Sequence, residues 1–144
     1  MRADAPLGQP RAPTRAEAGL RTVRAVFLRV IAVAGFAATA GTWAHVLGLP
    51  ALPAAPFLAL PFDAQAVLAV LAALLPVASL GLWFGHSWGA VLWLLAVAVQ
   101  VWSVALGSWP VEGTAFVLGF HATTVALFAA LQIACFAAER RASR

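Results

Sequence analysis

The chain of 144 residues has no lysine, no asparagine and no tyrosine, a single cysteine and a single methionine, and only 10% charged residues. Each scarcity excludes something. A soluble domain carries about 25% charged residues. With 63% hydrophobic residues, a soluble fold of this size would leave much of its apolar surface in water, because small domains bury only part of what they expose. Lipid is the natural solvent for such a chain, and one domain is the sensible count. The lone Cys135 excludes an internal disulfide, and with no Cys-x-x-Cys pair the redox compartment is unreadable. The absence of lysine beside nine arginines fits codon bias in a GC-rich bacterial genome and is given no functional weight. The net charge of +4 would point to nucleic acid if it lined a surface. Here it is confined to short tails, so anionic lipid head groups are its counterpart and nucleic acid is not expected.

What the chain does have is four apolar runs, at about Val30–Leu49, Ala66–Phe84, Trp88–Leu106 and Ala115–Ala138. A helix needs about 20 apolar residues to cross the hydrocarbon core. The expectation is an all-α polytopic membrane protein, an up-down-up-down four-helix bundle spanning residues 21–138. A basic tail that lacks regular structure (1–20) precedes it, and a second basic tail (139–144) follows. The first tail mixes Pro6, Pro10 and Pro13 with charge, a disorder-prone composition, and helix is expected from about Glu17. An apolar run of about 20 residues is too long for a cleaved signal core.

Arg2, Arg11, Arg15, Arg21, Arg24 and Arg29 precede the first run, and Arg140, Arg141 and Arg144 follow the last. The connections on the other face carry Asp63 and Glu112 instead. Positive flanks stay cytoplasmic, so both termini are expected in the cytoplasm of a bacterial cell, with the spans in the inner membrane. Arg21, Arg24, Arg29, Arg140 and Arg141 are the expected head-group contacts, snorkelling from the helix ends.

The Leu49–Gln65 connection holds Pro50, Pro53, Pro56 and Pro61, which forbid a regular helix. Its apolar side chains Leu52, Phe57, Leu58, Leu60 and Phe62 are expected either to lie in the outer interface or to dock another membrane protein or a second copy. Asp63 is read as the cap of the second helix and Ser87 as that of the third, with Gly85 closing the helix between them. Pro76 should perturb the second span. Ala122, Ala126, Ala130, Ala134 and Ala138 form a ladder at four-residue spacing, a close-packing signal expected to face inside the bundle. Tryptophans 43, 83, 88, 93 and 109 read as interface anchors.

Chemistry would have to sit among the polar residues of the spans. Counting about 1.5 Å per residue from the outer ends, His45 lies roughly 6 Å deep, and Gln100 and His121 about 9 Å deep. Three helices thus offer polar groups to one layer. Unpaired polar groups in hydrocarbon cost several kcal/mol, so they should turn inward, either as interhelical glue or as a site for a quinone or, through two imidazoles, a haem. No Asp, Glu, Lys or Arg falls in the middle of any run, which argues against proton-coupled transport. No nucleophile–base pair, metal-binding or nucleotide motif is present, so an enzyme is not expected, and neither is a cofactor.

Phe27-x-Arg29, Gly81-Leu82-Trp83, the run Ser87-Trp88-Gly89-Ala90-Val91-Leu92-Trp93 and Phe120-His121 together resemble an uncharacterised family of small four-span inner-membrane proteins found mainly in alphaproteobacteria. The resemblance covers about Val26–Gln132 and implies the topology and location, with no activity attached. On these grounds the chain reads first as a non-catalytic accessory, assembly or stabilising subunit of a larger inner-membrane complex. The alternative is a small-ligand binder using His45, Gln100 and His121, and a weaker one is a small transporter or channel.

Overall fold

With no water in the hydrocarbon, each backbone amide must find its partner within the protein, which leaves helices as the economical solution for such runs. The computed structural model describes residues 14–49, 56–107, 109 and 113–142. They form α1 (Arg15–Val46), a short 3-10 turn (Phe57–Ala59), α2 (Phe62–Trp83), α3 (Ser87–Ala105) and α4 (Thr114–Ala142). All four α-helices are long and apolar enough to cross a membrane. Residues 1–13, with Arg2 and Arg11, lie outside the described residues, as do Leu52, Glu112 and Arg144.

The helix ends depart from expectation in instructive ways. α1 begins at Arg15, inside the segment expected to be irregular. The reason is a capping box: the Thr14 hydroxyl accepts from the Glu17 amide at 3.3 Å while the Glu17 carboxylate accepts from the Thr14 amide at 2.7 Å. The same helix stops at Val46, short of Leu49, because Gly48 takes φ +70° and the amides of Gly48 and Leu49 turn back to the carbonyls of His45 and Ala44. Asp63 is not the cap of α2. The capping position is Pro61, and Asp63 sits in the first turn, where its charge meets the positive end of the helix. Likewise His86, not Ser87, occupies the cap of α3, without a side-chain bond. Gly85 does close α2 as expected, at φ +73°, with the His86 amide returning to the Gly81 carbonyl at 2.9 Å.

α2 is the centre of the bundle and packs along both α1 and α3, whereas α4 leans on α1 and touches α3 more sparsely despite the short α3–α4 connection. In lipid, helices gain nothing from hiding apolar surface, so association rests on close packing and interhelical hydrogen bonds. Two contacts show this. At the hairpin, Gly81 and Gly89 bring the α2 and α3 backbones together: a Cβ on Gly81 would stand 2.5 Å from the Gly89 Cα. Farther up, Gly35 of α1 lies against the buried Ser79 of α2 with no room for a side chain. The main cluster joins Leu28, Ile31 and Ala32 to Ala78, Leu82, Trp93 and Val97, with Val125 and Phe128 packed on it. Trp93, expected as an interface anchor, is instead 6% exposed, edge-on to Phe128 at 5.6 Å. The alanine ladder splits. Ala122, Ala126 and Ala130 are exposed, and Ala134 and Ala138 line a cleft beside α1. The upper rungs therefore face away from the bundle, because α4 is held chiefly through its other flank.

Pro76 has no amide proton to offer the carbonyl four residues back, Ala72. That carbonyl is satisfied across the helix interface by the Trp43 indole N–H at 3.1 Å. Trp43 is thus a tie between α1 and α2 as well as a half-exposed aromatic near a span end. Replacing Trp43 by Phe should destabilise the protein by about 1–3 kcal/mol, because the Ala72 carbonyl is orphaned. In a Pro76→Ala background, where the helix supplies its own amide, the same change should cost much less. Thermal unfolding of the four species of this cycle in detergent measures the difference.

Candidate functional site

The four helices do not close uniformly. Where α1 presents Ala34, Gly35 and Ala38, α2 presents Ala78 and Ser79, and α3 presents Ala96, the short side chains leave a cavity of about 370 Å³. It runs from Leu82 and Trp93, on the side of the arginine-bearing helix ends, up to Phe116, Phe120, Gln100 and His121. The volume falls in the ordinary range of small-molecule sites. Its walls are apolar apart from Ser79, Gln100 and His121. Exposed Ala37, Ala38 and Phe116 on its rim leave it open sideways, between α1 and α4, where lipid would lie.

Gln100 of α3 and His121 of α4 face each other, with Nε2 of the imidazole 2.9 Å from the Gln100 Oε1. The ring N–H donates to the amide oxygen, so Gln100 is fixed in orientation and its own amide N–H₂ is left without a partner among the described residues. His121 is 7% exposed and its Nδ1 is sealed with no partner. Neighbouring hydroxyls are absorbed locally: Ser103 donates to the Gln100 carbonyl at 2.8 Å, and Thr124 to the Phe120 carbonyl at 2.9 Å. The polar resources of the cavity are therefore the Gln100 amide, held against the buried His121, and the Ser79 hydroxyl, in an otherwise apolar chamber.

Of the three residues read from depth, the structure joins two. His45 is buried at 9% exposure, with its Nε2 unpartnered, but it is not part of the cavity wall. The two imidazoles therefore do not flank one chamber, as a haem between them would require. Matched depth fixed the layer but not the azimuth at which α1 faces its neighbours. Among the described residues no group of three His, Cys, Asp or Glu side chains gathers as a metal site. The sequence pattern does not mark Ser79, Trp93 or Phe116 as cavity residues. A weak signal for Ser79 existed in Gly35, since a glycine within a span marks where another helix comes close.

The other candidate residues lie elsewhere. Leu58, within the 3-10 turn, and Phe62, at the start of α2, are 85% and 84% exposed, and Phe57 and Leu60 are half-buried. Arg21, Arg29, Arg140 and Arg141 are exposed at the opposite end of the helices, while Arg24 is half-buried.

Residues 22–139 match the model of a family of unknown function, DUF6163, and the chain belongs to that family. No curated protein and no solved structure matches the chain.

The Gln100–His121 bond should behave as an interhelical tie of about 0.6–2 kcal/mol. Gln100→Leu and His121→Leu should each destabilise the protein, and the double variant should cost less than their sum by that amount. Unfolding midpoints of the four species in one detergent give the coupling, and strict additivity would mean that the pair contributes no bond.

Proposed function

We propose that this chain is a non-catalytic integral membrane protein that holds a small lipid-soluble molecule bearing a hydrogen-bond acceptor, of the quinone class, between its helices. The observation that carries the reading is the apolar cavity of about 370 Å³ with the Gln100–His121 pair in its wall. A carbonyl oxygen matches the free amide N–H₂ of Gln100, and an apolar body matches the alanine and phenylalanine walls. Bilayer access suits such a molecule, because the rim lies between α1 and α4. The arginine distribution supports a bacterial inner membrane with both termini cytoplasmic.

A second reading rests on a different observation. Leu58 and Phe62 project at the end remote from the arginines, which favours an accessory, assembly or stabilising subunit that docks a larger complex through this turn. The two readings are compatible, since a subunit of a complex can hold a small molecule of its own.

Extraction of the purified protein and mass spectrometry of the released lipids should yield a carbonyl-bearing apolar compound in near-stoichiometric amount. Ala38→Phe, which fills the cavity from its rim, should abolish retention, and Gln100→Leu should weaken it about five- to tenfold for the loss of one hydrogen bond. Retention unchanged in both would remove the ligand reading. For docking, a photo-crosslinking residue at Leu58 in native membranes should give one discrete protein adduct that Phe62→Ser diminishes. Lipid adducts alone would place the turn in the interface.

A further inference from the structure

Among the described arginines, Arg24 is the half-buried one, and no described carboxylate pairs with it. Leu20, Arg24 and Leu28 follow at four-residue spacing, which puts them on one face of α1. Leu28 is 6% exposed in the main cluster, and Leu20 lines both clefts between the start of α1 and the end of α4. Arg24 therefore lies on the face that α1 turns toward the bundle, one turn below the core. Among the described arginines it is the one that is not exposed. Its Nε is sealed from solvent without a hydrogen-bond partner, and no ion pair to a described carboxylate engages the guanidinium. Glu17 is committed to the Thr14 capping box. With Glu139 it lines a cleft shared with Arg21, not with Arg24.

The level of Arg24 in the fold identifies what can reach it. Leu28 packs in one cluster with Leu82, and the α2–α3 hairpin turns just beyond Leu82 amid exposed Trp83, Phe84 and Trp88. Such an aromatic group marks the boundary between hydrocarbon and head groups. A half-buried guanidinium at that boundary calls for an oxyanion, and its planar fork suits a phosphate in a two-pronged contact. Leu20, half-buried one turn below it, offers apolar surface that suits an acyl chain better than a hydrated free ion.

We infer that Arg24 anchors a site for the phosphate of an anionic phospholipid, distinct from the diffuse attraction that the exposed arginines exert on the membrane surface. The test compares the full-length protein with R24Q, R24K and R15Q in nanodiscs of phosphatidylcholine doped with phosphatidylglycerol. The readouts are native mass spectrometry of retained lipid and thermal midpoints. R15Q removes the same charge from an exposed position. Wild type and R15Q should retain phosphatidylglycerol selectively. R24Q should bind it about tenfold more weakly, and R24K, which keeps the charge and stem but loses the fork, should fall between them and serves if R24Q does not fold. Equal losses in R15Q and R24Q would reduce the effect to general surface charge and overturn the site. Undiminished retention in both Arg24 variants would overturn it as well. Inorganic phosphate stabilising wild type in pure phosphatidylcholine as strongly as the lipid does would assign the site to free phosphate instead.

Discussion

Removing one backbone proton inside a membrane creates a debt that only another helix can settle, and Pro76 does this at the centre of α2. In water the orphaned Ala72 carbonyl would bind solvent. In hydrocarbon it must be met from within, and the Trp43 indole of α1 meets it. The consequence reaches beyond one bond. It sets the register of α1 against α2, and with that register Gly35 falls opposite Ser79 and Ile31 and Ala32 enter the cluster around Leu82. The proline that removes a bond from the central helix thereby specifies its partner.

Close packing then distributes space unevenly. At the hairpin, Gly81 and Gly89 draw α2 and α3 into backbone contact, and Trp93 and Phe128 fill the gap that α1 and α4 leave below. Higher up, the residues on the inner faces are equally small, but no large side chain fills the centre. The result is a chamber rather than a core. The same small residues thus give tight contact where backbones converge and empty volume where they diverge. The polar pair Gln100–His121 closes across α3 and α4, the pair of neighbouring helices with the sparsest packing, where a directional bond contributes most to holding them in place.

Charge organises the ends. The capping box at Thr14 extends α1 below the apolar span, and α4 continues to Ala142 beside it. The two long helices carry the arginines past the hairpin of the two shorter ones. Exposed arginines there need only water and lipid. Arg24, turned inward by the four-residue repeat with Leu20 and Leu28, is in a different position, since the described residues around it supply no counter-charge.

The number and approximate length of the apolar helices follow from the sequence by itself, because crossing hydrocarbon demands about 20 apolar residues and four such runs are present. The Gly85 helix stop is also legible, whereas the capping box of Thr14 and Glu17 is no part of that reading, which starts helix at about Glu17 rather than Arg15. The shared depth of Gln100 and His121 could be counted along the helices, since rise per residue is constant. What could not be counted is rotation. Whether His45 joins the pair, whether the alanine ladder points in or out, and whether Trp93 and Trp43 anchor to the interface or bind within the bundle all depend on how each helix is turned about its axis. In these spans nearly every face is apolar, so the sequence carries little amphipathic signal to set that angle. Only tertiary packing decided it, through the few places where a glycine, a proline or a buried hydrogen bond permits one azimuth and excludes the others.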